Sequence, residues 1–213
     1  MPRPTKHDPE RGDARTRLLE AALDLIRAKG YTATTVSDLC KAAGVTSGAF
    51  FHNFASKEAL GEAAAVHWTQ ITAALFRDAP YHAHADPLER IRGYIAFRRS
   101  LIAGDPAAFT CLAGTMTQEV YATHPAIRDA CAASMFAHAA TLEGDIAAAM
   151  AACGIDADWT AASLARYTQA VLQGAFVLAK ASGDGALAQE SIDHLERYID
   201  LLFQPRGGRG APP

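Results

Sequence analysis

Residues 34 to 60 contain three helix starts and two short helical segments within a single stretch of the chain. Thr35, followed three residues later by Asp38, is typical of a capping box. Apolar residues then recur at helical spacing until Gly44, which ends the first short helix. Two short helices separated by a glycine turn are the pattern of a helix-turn-helix, so this segment limits the fold of the N-terminal part of the chain to a few packed helices.

The second short helix has one apolar and one small or polar face. Thr46 is its candidate N-cap, and Phe50 and Phe54 lie four residues apart, which places both on the inward face. Small side chains at a helix N-terminus allow close approach to phosphates and base edges. Lys57 places a cation beside the outward face. The pattern predicts that this face binds DNA. The outward residues are Ser47, Gly48, Ala49, Phe51, His52 and Asn53.

Residues 18 to 60 resemble the DNA-binding domain of the TetR family of one-component transcriptional repressors. The resemblance rests on Thr-Val at residues 35–36, Ala-Ala-Gly-Val at 42–45, a glycine-containing recognition helix and the closing Phe-x-x-Lys-Glu-x-Leu at 54–60. It implies that Thr35 and Lys57 contact phosphates, and that Thr46 and the outward residues lie at or near the groove of a double-stranded operator.

Two positions depart from the family pattern. Phe51 stands where the family usually has Tyr, so a hydroxyl that could bond a phosphate is missing. Asn53, where the family often has His, could supply a donor instead. The alternative is that Thr35 and Thr46 are only helix caps and that His52 is a solvated surface residue. A capping role and a phosphate contact can coexist, because both use the same helix end.

The composition favours a soluble regulator located in the cytoplasm. Half of the 213 residues are apolar, which is enough for one large core or two modest domains. No apolar run approaches the roughly 20 residues that a membrane-spanning helix needs, and no hydrophobic segment follows the charged start, so neither membrane association nor export is expected. The four cysteines are widely separated, which argues against a zinc site or a disulfide framework, and we expect no metal and no cofactor.

Positive charge is concentrated near the N-terminus. Residues 1 to 58 contain nine Lys and Arg against seven Asp and Glu, whereas the remainder is acidic. A flexible basic arm would add phosphate contacts that depend on salt and carry no sequence information. The interspersed acidic residues leave a merely soluble tail as an equal alternative. The arm's cations are Arg3, Lys6, Arg11, Arg15 and Arg17.

The chain is predicted to be all-α, with an N-terminal three-helix DNA-binding domain and a C-terminal helical domain for ligand binding and dimerisation. The domains are expected at residues 1–55 and 56–203, followed by a disordered tail at 204–213. Caps and apolar periodicity predict helices over residues 13–29, 56–77, 105–122, 124–153, 158–181 and 187–203 and a further one that starts at Asp86, besides the two short ones.

The last two helices are expected to form a homodimer. Their apolar residues repeat at helical spacing, and a two-fold four-helix contact would cover a surface that a monomer would leave wet. Members of the TetR family dimerise through the same region. The alternative is that both stripes face the chain's own core. The stripes are Leu164, Val171, Leu172, Ala175 and Leu178, and Ala188, Ile192, Leu195, Ile199 and Leu202.

The middle helices mix bulky apolar residues with a few polar ones, which suits a pocket for a small-molecule effector. Many of these residues are equally suited to an ordinary core, His138 among them. The candidate effector residues are Trp68, Tyr94, Phe97, Arg98, Cys111, Met116, Met135, His138, Tyr167, Gln173, Phe176 and Lys180.

Cys111 begins a Cys-Leu-Ala-Gly segment that resembles a TetR subgroup with repressors responsive to reactive electrophiles. A thiol becomes a sensor where it is accessible and a cation lowers its pKa, for which Lys180 or Arg98 are the candidates. A plain buried cysteine is the alternative.

Three other functional classes are considered. An enzyme would need a nucleophile, a base and an orienting group, and Cys111 with His138 lacks an identifiable acid, so the chain is not expected to be an enzyme. Alternate histidines at residues 82 and 84, followed by Asp86, are a weak signal for a metal site. An architectural DNA-binding protein without an effector is the main alternative to a repressor released by a small molecule or an electrophile.

Overall fold

A computed structural model describes residues 13 to 204, which are helical and contain no strand, so the predicted all-α class is confirmed. Arg3, Lys6 and Arg11 of the predicted basic arm and the tail from residue 205 lie outside the described residues, whereas Arg15 and Arg17, also assigned to the flexible arm, lie within the first helix. A short 3₁₀ turn at Pro80–Ala83 precedes α5. The helices are α1 (Ala14–Lys29), α2 (Val36–Ala43), α3 (Ser47–Asn53), α4 (Lys57–Arg77), α5 (Pro87–Ser100), α6 (Pro106–Phe109), α7 (Leu112–Val120), α8 (Pro125–Ala140), α9 (Glu143–Ala152), α10 (Ala161–Ser182) and α11 (Ala186–Phe203).

The helix starts follow local side-chain chemistry. Asp13 caps α1 by accepting the Thr16 N–H at 2.7 Å. Thr35 and Asp38 form the predicted capping box at α2, in which each side chain accepts the other residue's backbone N–H. Asp86 caps α5 in front of a proline at the first helical position, as predicted. These caps account for the agreement between predicted and observed starts.

Two of the predicted long helices are each divided in two. The helix expected over 105–122 breaks at Thr110 and Cys111, where the extended Cys111 becomes the N-cap of α7. The helix expected over 124–153 breaks at Thr141, whose hydroxyl donates to the His138 carbonyl oxygen at 2.7 Å. A Thr hydroxyl that bonds the preceding turn competes with helix continuation, which gives the physical reason for this break.

The start of α10 also differs from the prediction. Thr160, and not Asp158, is its N-cap. Thr160 Oγ1 accepts the Ser163 N–H at 3.1 Å, and Ser163 Oγ accepts the Thr160 N–H at 3.0 Å. This reciprocal pair satisfies two backbone donors, whereas a cap at Asp158 would satisfy one.

The described chain divides into two compact units. The first combines residues 13–72 with 110–134, and the second combines 73–109 with 135–204. In the first unit, α1 packs against α2, α3 and α7. In the second, α10 and α11 pack together, and α5 contacts α9 and α11. These are structural units, and the functional boundary at residue 55 stays a prediction.

Most of the predicted dimer stripe is buried within the second unit. Ala188, Ile192 and Ile199 are fully buried, and Leu195 is nearly so, because they face the chain's own core. The expectation that they meet a partner is therefore wrong, and the alternative of a core role holds for them. Leu178 of the predicted stripe is exposed, together with other large apolar residues of α10 and α11: Tyr167, Val177, Leu187, Tyr198 and Leu201.

Candidate DNA-binding face and effector cluster

Helix α3 is anchored by its aromatic residues. Phe50 is fully buried and Phe54 nearly so, and their rings lie 6.0 Å apart, so the inward face is as predicted. Thr46 Oγ1 accepts the Ala49 N–H at 3.1 Å and caps the helix. This anchoring fixes which side of a seven-residue helix turns outward.

The outward side of α3 is largely open to solvent. Ser47, Gly48, Phe51 and His52 are exposed, whereas Ala49 and Asn53 are half-buried. The Asn53 side chain donates to the Ala49 carbonyl oxygen at 2.8 Å, so its amide group is held against its own helix.

Packing within the chain does not account for glycine at residue 48 or for the exposure of Phe51. A Cβ atom at Gly48 would meet only Thr46 Oγ1, at 3.8 Å, so packing does not require glycine there. Glycine lowers helix stability by about 0.5–1 kcal/mol relative to alanine. Phe51 leaves 59% of its surface exposed, although a phenyl group gains nothing from water. A small residue beside an exposed aromatic one suits contact with another molecule.

Lys57 has an internal role that the sequence did not reveal. Its ammonium group donates to the carbonyl oxygens of Tyr31 and Thr34, each at 2.9 Å, and lies 4.3 Å from the Tyr31 ring centroid. Burial lowers the pKa of Lys57, an effect that the charge of Glu119 partly offsets. Lys57 therefore closes the loop between α1 and α2, and a phosphate contact by Lys57 stays a prediction.

Thr35 is similarly engaged within the chain. Its hydroxyl bonds the Asp38 carboxylate at 2.8 Å, and Lys29 pairs with the same carboxylate at 2.6 Å. These bonds hold the pKa of Asp38 well below its usual range, chiefly through Lys29. The phosphate contact implied for Thr35 stays a prediction as well.

Glu119, at the C-terminal end of α7, binds the same loop from the other side. Its two carboxylate oxygens accept the backbone N–H groups of Tyr31 and Thr32 at 3.0 and 2.9 Å. A Cβ atom at Gly30 would lie 2.5 Å from a Glu119 oxygen, so the loop needs glycine at this point. The loop is thus held between one anion and one cation, and we call Glu119, Lys57 and residues 30–34 the loop clamp.

In the second unit, Arg98 is the centre of a cluster of polar and aromatic side chains. Its Nε donates to the Tyr94 hydroxyl at 2.9 Å, and its Nη2 lies 2.7 Å from His138 Nε2. The guanidinium carbon lies 4.1 Å from the Phe76 ring centroid. The Phe97 ring lies edge-on to Phe76 at 5.4 Å. We call Arg98, Tyr94, His138, Phe76 and Gln169 the Arg98 cluster.

The electrostatics of the Arg98 cluster keep His138 neutral. Burial, together with the Arg98 charge, lowers the pKa of His138 to about 3. Its Nε2 therefore carries a lone pair at neutral pH and accepts from Arg98. The Tyr94 hydroxyl lies 3.0 Å from the same nitrogen and also accepts from Gln169 Nε2 at 2.9 Å.

The structure brings four of the twelve predicted effector residues together, namely Tyr94, Phe97, Arg98 and His138. Tyr167 instead lies on the exposed side of α10, with its ring 5.1 Å from that of Tyr198. Phe176 is buried and its ring lies 6.3 Å from that of Phe109. Elsewhere in the second unit, Met135 and Gln173 are half-buried and Lys180 is exposed.

Three predicted effector residues belong to the first unit. Met116 is fully buried, and Trp68 lies beneath the Arg27 guanidinium, whose carbon is 5.3 Å from the ring centroid. Cys111 is half-buried, and its Sγ accepts the Gly114 N–H at 3.4 Å. The roles of all three in effector binding stay predictions.

Sequence reasoning missed Gln169 and Glu119. Their partners lie 75 and 88 residues away along the chain, so no local spacing could indicate either contact. Nothing in the sequence pattern distinguishes Phe76 from the other bulky residues of the middle helices.

The weak metal signal at residues 82–86 acquires no support. His82 Nε2 bonds the Phe76 carbonyl oxygen at 2.9 Å, and Asp86 caps α5. Among residues 13–204, no three His, Cys, Asp or Glu side chains lie close enough together to hold a metal ion. In the same part of the chain, no helix is long and apolar enough to cross a membrane.

Two known protein families match separate parts of the chain. Residues 18–64 match the family described as bacterial regulatory proteins, tetR family. Residues 87–195 match the Tetracyclin repressor-like, C-terminal domain. The HTH-type transcriptional repressor KstR2 of Mycobacterium tuberculosis is 38% identical over 79 residues, which cover 37% of this chain and 39% of KstR2. The chain thus matches well under half the length of that relative.

Solved structures share the fold at low sequence identity. A TetR family regulator from Agrobacterium tumefaciens superposes with a TM-score of 0.78 at 22% identity, covering 90% of this chain and 99% of that one. A cysteine mutant of the TetR family regulator CifR, solved with a 26-bp operator DNA, superposes with a TM-score of 0.73 at 21% identity, covering 92% and 98%. With both family matches and the helix-turn-helix geometry in agreement, the chain belongs to the tetR family of bacterial regulatory proteins, which are transcriptional regulators and not enzymes.

Proposed function

We propose that this protein is a repressor that binds a pseudo-palindromic operator through α3 and is released by a small-molecule effector. The observation that carries the proposal is the outward face of α3, where packing does not require glycine at residue 48 and Phe51 leaves 59% of its surface exposed although its ring contacts Phe50. CifR, a structural neighbour, was solved with operator DNA, which supports operator binding by this chain. The recognition helix of a helix-turn-helix contacts base edges in the major groove.

Selection of bound DNA from a random library tests this proposal. The enriched sequences should contain two inverted half-sites whose centres lie about one helical turn, or roughly 34 Å, apart. His52→Ala should change the preferred bases, because His52 is exposed on the outward face of α3. Enrichment of no sequence, or an unchanged preference in the variant, would contradict the assignment.

A second copy of the chain is the proposed partner of the exposed apolar residues on α10 and α11. Leu187, His194, Tyr198 and Leu201 recur at helical spacing on α11, and the ring contact between Tyr167 and Tyr198 joins this stripe to α10. A Cβ atom added at Gly174, in the middle of α10, would have no neighbour within 4 Å. A glycine that the chain itself does not need allows two helices to approach closely. We call these residues the α10–α11 exposed stripe.

Release by an effector requires that ligand and operator weaken each other. A ligand can shift the protein only by binding one conformation better than another, so the effect must be reciprocal. The loop clamp is the proposed transmitting contact within the first unit, because Glu119 joins α7 directly to the loop between α1 and α2. Helix α4, which begins with Lys57, is the proposed moving element.

Equilibrium titration separates this proposal from an architectural protein without an effector. A compound that binds the protein should raise the Kd for operator, and saturating operator should raise the Kd for the compound by the same factor. A tight ligand that leaves operator affinity unchanged would contradict the release mechanism and favour the architectural alternative.

Modification of Cys111 by an electrophile is a second candidate for the effector event. Cys111 is the N-cap of α7 and is only half-buried, unlike Cys40 and Cys131. Alkylation would disturb the cap at one end of the helix whose other end carries Glu119. Cys40 and Cys131 are buried, and burial raises the pKa of Cys131 to about 12, so both should react slowly.

Mass spectrometry after treatment of the DNA complex with a thiol reagent tests this second candidate. Cys153 is exposed, so it does not serve as a slow control and should be replaced by serine in every sample. Operator release that persists in Cys111→Ser, or a folded protein in which Cys111 stays unmodified, would eliminate the thiol sensor and leave a reversible effector.

A further inference from the structure

Among the four arginines of α5, Arg98 alone has no carboxylate partner in the part of the chain that the structure describes. Arg90 pairs with Asp145 at 2.7 Å, and Arg99 with Asp193 at 2.7 Å. Arg92 pairs with Glu89 and Asp200. The groups that contact Arg98 are the neutral Tyr94, His138 and Phe76. A partly buried cation surrounded by neutral groups is costly unless an anion joins it.

The hydrogen bonds of the Arg98 cluster contain more donors than acceptors. The Tyr94 oxygen accepts from Arg98 Nε and from Gln169, which uses both of its lone pairs. Its proton and an Arg98 Nη2 proton are then both directed at the single lone pair of His138 Nε2. Among residues 13–204, the hydrogen bonds of Arg98 use Nε and Nη2, and none uses Nη1. At least two donors therefore lack an acceptor of their own.

The cluster is closed on one side and open on the other. Tyr94 and Gln169 are buried, whereas Arg98 and His138 are only half-buried. The guanidinium edge that lacks an acceptor is thus on the accessible side. Tyr81, Phe76 and Phe97 surround the cluster with aromatic surface, their ring centroids lying between 5.4 and 6.1 Å from a neighbouring ring.

We propose that the Arg98 cluster binds the carboxylate of an organic acid that serves as the effector. A carboxylate supplies two acceptor oxygens and one negative charge, which matches the surplus of donors and the uncompensated charge of Arg98. Arg98 holds the carboxylate through its guanidinium edge. Tyr94 and Gln169 are positioning residues that fix the guanidinium plane, and the aromatic side chains accommodate an apolar body. This assignment rests on the proposed function, since it names the chemistry of the effector.

Thermal unfolding of the full-length protein, with a panel of acids and their matched amides, tests the carboxylate requirement. The probes are hexanoate and benzoate, compared with hexanamide and benzamide, which have the same body without the charge. The acids should raise the melting temperature and the amides should not. Equal effects of acid and amide, or no acid that binds with a Kd below about 1 mM, would overturn the proposal.

Matched variants locate the bound acid. Arg98→Gln should weaken acid binding by about tenfold or more, because it removes a charged hydrogen-bond donor pair. Arg98→Lys should retain part of the binding. Arg99→Gln removes the neighbouring arginine, whose partner is Asp193, and should bind the acid as the wild type does. Equal binding by Arg98→Gln and Arg99→Gln would overturn the proposal, and should Arg98→Gln fail to fold, the acid–amide comparison on the wild type still decides it.

Operator affinity measured in parallel distinguishes the carboxylate site itself from its role as the effector site. Acids that bind at Arg98 without changing operator affinity would support the carboxylate site and contradict its role as the effector site. Release of the operator by a neutral compound, with no acid bound at Arg98, would overturn the carboxylate site and leave the repressor function intact.

Discussion

At the scale of single residues, Gly48 is a position where the needs of the fold and of DNA binding differ. The residue is the second of α3, and a Cβ atom there would make only an ordinary contact with Thr46. The chain therefore gives up helix stability at the point where close approach to a groove is expected.

Gly48→Ala should raise the free energy of unfolding by about 0.5–1 kcal/mol and weaken operator binding. Gly144→Ala is the matched control, because Gly144 is the second residue of α9 and its Cβ would meet nothing within 4 Å. The control should gain stability and keep its operator affinity. Urea unfolding and fluorescence anisotropy give the two quantities, and equal anisotropy changes in both variants would contradict a groove contact.

His138 makes the stability of the protein depend on pH. Its folded pKa of about 3 lies below the ordinary value of 6.5, so the unfolded chain binds the proton more readily. The stability that this difference contributes is present in full above pH 6.5 and is lost as the pH falls toward 3.

Between these two values the free energy of unfolding should fall by about 1.4 kcal/mol per pH unit because of His138. In His138→Gln this contribution should vanish, leaving a shallower slope from the remaining groups. Urea unfolding at pH 7, 6 and 5 measures it. Parallel slopes for the two proteins would mean that His138 titrates normally in the folded state.

At the scale of elements, the loop clamp attaches α7 to the loop between α1 and α2, within the N-terminal helices that form the DNA-binding head. Glu119 accepts two backbone N–H groups that would otherwise lack a partner in the loop. A carboxamide at this position can accept at only one oxygen and presents an N–H group to the second donor.

Glu119→Gln should therefore lower the free energy of unfolding by about 1–3 kcal/mol and expose the amides of Tyr31 and Thr32 to exchange. Glu20→Gln, on the exposed side of α1, is the control and should change neither. Hydrogen exchange resolved by residue measures the effect. Unchanged protection of these two amides in Glu119→Gln would refute the clamp.

The elements that sequence predicted well are those whose ends are set by neighbours in the chain. Asp13, Thr35, Thr46 and Asp86 cap their helices through bonds that span three residues or fewer. The break at Cys111 was missed, because apolar and small residues continue through it and a half-buried cysteine as N-cap is an unusual choice. The candidate site was predicted only in part, because its contacts join residues that are far apart in the chain. Arg98 and His138, for example, are 40 residues apart.

At the scale of the whole molecule, the α10–α11 exposed stripe determines the proposed assembly. Most of the apolar residues that the sequence pattern assigned to a partner are buried in the chain's own core, whereas Leu178 and several residues outside the predicted stripes are exposed. An amphipathic pattern alone does not say which of two apolar faces meets which neighbour.

Leu201→Asp should convert the dimer to a monomer and reduce operator affinity, because a monomer engages one half-site at a time. Leu201 leaves 65% of its surface exposed in the single chain, so the change should barely alter the fold. Phe136→Asp, on α8 and similarly exposed, is the control and should remain dimeric. Sedimentation velocity decides between them, and a dimeric Leu201→Asp protein would exclude this surface.

The close approach of Gly30 to Glu119 restricts how domains of related regulators can be exchanged. A chimaera that joins a foreign head to this chain's α7 folds without a clash only if the head supplies glycine at position 30, where φ is +88° and a side chain would collide with the carboxylate. A shorter side chain at position 119 would remove the collision but not the backbone strain that this φ imposes on any larger residue. The two positions, 89 apart in the chain, therefore have to be inherited or engineered together.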